Sequence, residues 1–212
     1  MEIRFEQDAI ERISKEIGGI DYKAKRIFQQ AVNITTKKAV DYTREAVRKR
    51  YVISAGGKID LYKQIQKKAA TYANPVGQII SSSKMNRMSS FYVTPRILAH
   101  GASRPKTYRG KVLRKSSMSN IEGFMVQFKN GHKEFVHRVE GKKYKTKSIL
   151  QERLKKKLDP TKIEPVYSPA TPFMTAKGWA GNNAEVEKKT AELLEKNIRK
   201  YMDKFLKARD GG

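Results

Sequence analysis

Two apolar and aromatic runs meet at Asn130-Gly131, and this feature constrains the chain more than any other. The runs read GFMVQFK and HKEFVHRV. Asn-Gly between them is the dipeptide that a two-residue type I′ turn demands, because both central residues of that turn take positive φ. An antiparallel hairpin is therefore predicted over residues 122–139, with Val126 opposite Phe135 and Met125 opposite Val136. Upstream, VGQIISSS and FYVT read as strands separated by the polar turn SKMNRMSS, and Pro95 stops the second.

Helical periodicity brackets this β texture. Ala24, Phe28, Ala31, Thr35, Ala39, Tyr42 and Ala46 recur at spacings of three or four, which predicts a helix over residues 21–50 with Asp21 as N-cap. A shorter amphipathic stretch (Ile3, Phe5, Ile10, Ile13, Ile17) precedes it, and Gly18-Gly19 separates the two. After a turn at Ser54–Lys58, Asp60 is placed to cap a second helix with Leu61, Ile65 and Ala69 on one face. A last helix is predicted to begin near Asn182, with Glu185 completing a capping box. Its apolar face comprises Val186, Leu193, Leu194, Ile198, Tyr201 and Phe205. Ile198, Tyr201 and Phe205 are the candidate packing or interface residues.

Three segments read differently. Residues 96–120 are rich in Gly, Ser and basic side chains and are expected to form a mobile basic loop with one irregular strand. Residues 141–162 are expected to contain a short helix with Leu150, Leu154 and Leu158 on one side. Residues 163–176 carry Pro165, Pro169 and Pro172, which disfavour a helix interior or a central strand and predict an extended docking arm. Its candidate contacts are Pro165, Tyr167, Pro169, Pro172, Phe173 and Met174. The periods together predict one α+β domain over residues 1–212: a twisted antiparallel sheet with a hairpin packed against long N-terminal and C-terminal helices, plus extended loops or arms.

Charge narrows the function. The chain carries 46 Lys and Arg against 21 Asp and Glu, a formal +25. Residues 61–180 hold 25 basic and 6 acidic side chains, so the excess belongs to the middle. Between Asp60 and Glu122 there is no carboxylate at all. Such a surface repels itself and attracts polyanions or acidic partners. Lys106, Arg109, Lys111 and Arg114 are the candidates for facing DNA or an acidic neighbour, although a solvated Lys-rich face is the plainer reading. No helix-turn-helix or finger pattern is visible, and Tyr108 among basic residues is a weak match to an aromatic-basic strand.

Catalytic chemistry is not legible. With no cysteine, disulfides, zinc clusters and thiol nucleophiles are excluded. His100, His132 and His137 have no metal-ligand spacing, and His132 beside Gly131 reads as a turn hydrogen bond. Gly56-Gly57-Lys58 lacks the spacing of a phosphate loop, and Glu122, Glu134 and Glu140 lack an Asp cluster. The expectation is a non-enzyme with no catalytic, cofactor or metal residues. No apolar run approaches the roughly 20 residues of a membrane span, and the N-terminus lacks signal-peptide order, so no membrane partner is expected.

Four stretches in order carry a family resemblance: a basic helix running into Arg48-Lys49-Arg50-Tyr51; Phe91-Tyr92-Val93-Thr94-Pro95-Arg96; Asn130-Gly131-His132 followed by Glu134-Phe135-Val136 and Arg138; and Val166 to Met174 before an amphipathic helix. From about Asp21 to Leu206 the chain resembles the minor tail protein Z family of long-tailed phages and prophages, which groups with tail-completion and head-to-tail joining proteins. The family's third stretch typically reads Asn-Gly-His, and its fourth Gly-Pro-Ser-small-Pro-Gln-Met. Here Ser168 stands for the Gly and Phe173 for the polar residue before Met174, and residues 141–162 would form an insertion relative to the family. The resemblance implies a structural virion protein that forms a ring, by six-fold tail symmetry a hexamer, at the head-proximal tail end or neck. Its partners would be itself and adjacent tail-tube, tail-terminator or connector proteins, with non-specific DNA in the bore as a further candidate. Its place would be the virion or tail particle, reached from the bacterial host cytoplasm. The second reading is a non-specific DNA-binding accessory protein whose basic middle contacts DNA.

Overall fold

A computed structural model describes residues 2–3, 15, 21–53, 59–82, 84–98, 103–128, 130–143 and 161–210. The fold is α+β, and the described residues form two long helices and four small antiparallel sheets. Where one domain is expected from length, the chain divides into two compact units. The first takes residues 1–50, 60–84 and 170–212; the second takes 51–59 and 85–169.

In the first unit, strand β1 (Glu2–Ile3) precedes helix α1 (Asp21–Arg50), whose first helical residue is Asp21 itself. Its predicted stripe is real, and Ala24, Phe28, Ala31, Thr35, Ala39 and Ala46 are buried. A second ridge, including Ile27, Val32, Thr36, Val40 and Val47, is buried beside it, so the two ridges make one wide buried face. Thr36 and Thr43 are tolerated there because their hydroxyls donate to the carbonyls of Val32 and Ala39, one turn back (2.7 and 2.8 Å). Arg48, Lys49 and Arg50 occupy the last turn, where cations oppose the negative end of the helix dipole.

Asp60 caps helix α2 (Leu61–Gln64), accepting from the Tyr62 and Lys63 backbone N–H groups. That helix is a single turn, and the expected continuation through Ile65 and Ala69 is instead strand β2 (Ile65–Lys68). β2 pairs with β3 (Gly77–Ser81), β3 pairs with β1, and the order is β1-β3-β2. The sheet meets α1 at Gly77, where an added Cβ would lie 2.0 Å from Thr36 Oγ1 and 2.9 Å from Val32 Cγ1. Asn33 of α1 closes the loop after β2: its amide donates to the Ala70 carbonyl (3.2 Å) and its carbonyl accepts from the Ala70 N–H (2.8 Å).

Helix α3 (Thr171–Asp210) begins well before Asn182. Gly178 and Gly181 lower helix propensity by about 1 kcal/mol each but remove no backbone donor, so they do not end a helix held elsewhere. The side chains of the expected Asn182–Glu185 box lie outside the described residues. α3 runs antiparallel to α1: Asn197 Nδ2 donates to Thr35 Oγ1 (3.1 Å), while Tyr201, Met202, Phe205 and Leu206 cover Ala24 and Ile27.

In the second unit, β4 (Asn86–Arg87) leads through a 3₁₀ turn (Met88–Ser90) to β5 (Tyr92–Thr94), which pairs with β6 (Tyr108–Lys111) and, through it, β7 (Ser119–Ile121). Within residues 96–120, expected to form a basic loop with one irregular strand, β6 is that strand and β7 begins a second, and Tyr108 is buried edge-on against Phe135 at 5.3 Å. The hairpin strands are β8 (Phe124–Gln127) and β9 (Lys133–Lys143). Their register differs by one residue from the sequence expectation. Met125 faces Phe135 and Val126 faces Glu134. The turn is longer than two residues: Gly131 N–H donates to the Phe128 carbonyl, Phe128 N–H donates to the His132 carbonyl (both 2.8 Å), and Gly131 takes the left-handed φ of 77°. β10 (Thr161–Pro165) adds to the other edge of β9, and β11 (Tyr167–Ser168) pairs with β4. The predicted helix with Leu150, Leu154 and Leu158, the turn at 54–58 and the N-terminal stretch to Ile17 apart from Ile3 lie outside the described residues.

Candidate functional site

The β5–β6–β7 sheet has two chemically distinct faces. Val93, Tyr108 and Gly110 turn inward and are buried. The alternation that buries them sends Arg109 and Lys111 to the opposite face. Cross-strand pairing puts Thr94 and Asn120 on either side of Arg109, and Tyr92 directly opposite Lys111. Tyr92 is 46% exposed. The outward strand residues are therefore two cations, two neutral polar groups and one accessible aromatic ring. Arg109 also donates to the Met118 carbonyl at 3.5 Å, which holds its guanidinium over β7. Lys106 and Arg114 are exposed in the segments flanking β6. These four cations are the candidates named from the sequence, and the aromatic noted among them there was Tyr108. Tyr108 lies on the buried side, whereas Tyr92, next to the buried Phe91, faces out.

The Pro-rich segment is not a free arm. Pro165 ends β10 opposite Val136, and Tyr167 pairs with Arg87 in β11. Pro172 sits in the first turn of α3, where a missing N–H costs nothing. Met174 is fully buried, while Tyr167 and Phe173 are about half exposed. Prolines at an edge-strand end and a helix start satisfy the same rules that suggested an extended arm, which is why the sequence did not separate the two. Ile198, Tyr201 and Phe205 are half-buried, and Lys23 Nζ lies 4.8 Å from the Phe205 ring centre.

One constellation was missed. Glu134 of β9 is fully buried, yet four donors converge on it. Arg87 Nη1 (2.7 Å) and His132 Nε2 (3.1 Å) reach Oε2, while the Ser89 hydroxyl and the Phe135 N–H (3.2 Å) reach Oε1. Arg87 Nη1 also lies 3.3 Å from His132 Nε2, and with Glu134 acting only as acceptor the imidazole directs its Nε2 hydrogen to the carboxylate. His132 stacks on Phe128, with ring centres 6.2 Å apart. Burial pushes the Glu134 carboxyl upward, but the bonds from Ser89, Arg87, His132 and Phe135 outweigh it and hold the group below its ordinary value. The group ties β9 to β4 and the 3₁₀ turn, and it is the carboxylate, not the imidazole, that contacts Ser89. A Glu at an inward position of an alternating strand was the available signal.

No protein-family model matches the chain, and no curated protein or solved structure does.

Proposed function

We propose that this protein is a structural component of a phage or phage-tail-like particle, a tail-completion or neck protein forming a homo-oligomeric ring, hexameric by the symmetry the resemblance implies. The observation that carries this reading is where the four resembling stretches lie. Tyr51 bridges to Leu113, and Ile53 bridges to Phe91 at the head of the second stretch. The Phe135 carbonyl of the third stretch accepts from Val166 N–H, and the Val166 carbonyl accepts from Met88 N–H (3.1 and 2.8 Å). Of the resembling residues, Tyr51, Phe91, Val93, Phe135, Val136 and Met174 are buried while Tyr92, Asn130, Gly131 and Tyr167 are exposed, so the likeness draws on interior and surface positions alike. The outward cations of the β5–β6–β7 sheet fit a wall exposed to DNA or to an acidic neighbouring ring.

Purified particles from a producing host test the proposal. The protein is expected in them at a fixed stoichiometry, and its deletion is expected to leave tails that are not completed or not joined to heads. Absence of the protein from purified particles would refute the assignment. The second reading, a non-specific DNA-binding accessory protein, is favoured by one observation, the exposed Tyr92 beside Lys111. It predicts salt-dependent DNA retention by the isolated chain without ring formation.

A further inference from the structure

We propose that the outward face of the β5–β6–β7 sheet binds single-stranded nucleic acid, with Tyr92 stacking on a base and Lys111 and Arg109 holding the backbone phosphates. The inference deepens the DNA-contacting role given to this face, and it specifies the strandedness of the ligand.

Three observations carry it. First, the placement is fixed by backbone pairing: Tyr92 lies opposite Lys111, and Arg109 lies opposite both Thr94 and Asn120. The Tyr92 row and the Arg109 row are two residues apart along the strand, about 7 Å. Ring and charges therefore occupy neighbouring positions on one surface. Second, the ring is available. Tyr92 is 46% exposed although its neighbours Phe91 and Val93 are buried at 0% and 2%, so an accessible π-face stands among the polar outward residues of the strands. Third, the charge is uncompensated along the sequence that builds the face, because no carboxylate occurs between Asp60 and Glu122. Glu122 follows β7 at its edge, and the strand residues themselves carry no acid.

Phosphate neutralisation alone would serve a duplex as well as a single strand. An accessible aromatic ring does not, since paired bases hide their faces in the stack, whereas an unpaired base offers its own to Tyr92. Aromatic stacking beside a cationic track is the general physics of sequence-tolerant single-strand binding. Thr94 and Asn120 can donate to sugar or phosphate oxygens without reading a base.

The test uses the full chain, with fluorescence anisotropy on labelled oligothymidine, oligouridine and a mixed-sequence duplex of equal length, at about 50 and 200 mM salt. The wild type is expected to bind at least one of the single strands more tightly than the duplex. Tyr92→Leu should weaken single-strand binding by about 5- to 100-fold while leaving the duplex affinity unchanged, and Tyr92→Phe should restore it. Arg109→Ala with Lys111→Ala should weaken both ligands and flatten the salt dependence by roughly one to two powers of salt concentration. Circular dichroism melts verify that each variant is folded. Equal single-strand affinity for wild type and Tyr92→Leu overturns the proposal, as does a wild type that prefers duplex or binds neither ligand. These outcomes are separable from the fate of the virion reading. A protein absent from particles that still prefers single strands through Tyr92 refutes only that reading, and a particle component indifferent to Tyr92→Leu refutes only the present inference.

Discussion

Glu134 shows how one residue can be both an expense and a specification. A buried carboxylate costs several kcal/mol to desolvate, and only a full set of donors offsets that. Glu134→Gln would set an amide N–H against one of the four donors. We expect a loss of about 1–3 kcal/mol in chemical denaturation, at the lower end if the half-exposed Arg87 swings into water. The pH dependence has a defined sign. The folded-state pKa is depressed, so the stabilisation is complete above the unfolded carboxylate's ordinary value of 4.5 and is lost as pH falls through the lower folded value. Thermal melts across that acid range should fall more steeply for wild type than for Glu134→Gln, and parallel curves would remove Glu134 from the acid response. The sequence displayed Asn130-Gly131 and the apolar alternation around it, and so the hairpin was legible. The register was not, because Asn-Gly serves both a two-residue turn and a longer loop that ends in a left-handed glycine. Glu134 was read as an isolated acid because its partners Arg87 and Ser89 lie more than forty residues away in the chain.

At the scale of elements, α1 demanded partners on two sides and received a sheet and a helix. Gly77 permits the close approach of the sheet. Gly77→Ala is expected to cost about 1–3 kcal/mol through overpacking against Thr36 and Val32. Pairing it with Thr36→Ala should recover part of that loss, so a strictly additive double-mutant cycle would rule out the contact. On the other side, Phe205 and Ile198 belong to the apolar face of α3. Changing both to Asp should cost about 1.5–3 kcal/mol per side chain, scaled down because each is only half-buried. An unshifted melting temperature would show that this face contributes nothing. The long periodic helices were legible because a stripe repeated over many turns survives noise. Short elements were not: Asp60 announced a helix start correctly, but one turn later Ile65 and its neighbours preferred to pair with β3, and tertiary pairing overrode the helical spacing of Leu61, Ile65 and Ala69.

Over the whole molecule, the excess charge sorts by unit. Residues 51–59 and 85–169 hold 21 Lys and Arg against 6 Asp and Glu, while the other unit holds 25 against 15. Polyanion binding is therefore expected to belong to the second unit. Neutralising Lys106, Arg109, Lys111 and Arg114 together should weaken DNA retention about equally for unrelated sequences and flatten its dependence on salt. A strong preference for one DNA sequence, retained by the variant, would overturn that expectation. Sequence charge showed that the excess lies in the middle of the chain, but which cations share a face became readable only once β6 was paired on both sides.

The pairing of α1 with α3 also sets a timetable. Every residue of the second unit precedes α3 in the chain, and α1 waits across more than a hundred and sixty residues for Asn197 to meet Thr35. During synthesis the ribosome releases the second unit complete while the α3-facing side of α1 is still bare. Chains truncated after Pro169 and released from the ribosome should accordingly show slow amide exchange in β8 and β9 and rapid exchange along α1. They should also be the species that chaperones capture, because an uncovered helix face is a site for the wrong partner until the right one has been made.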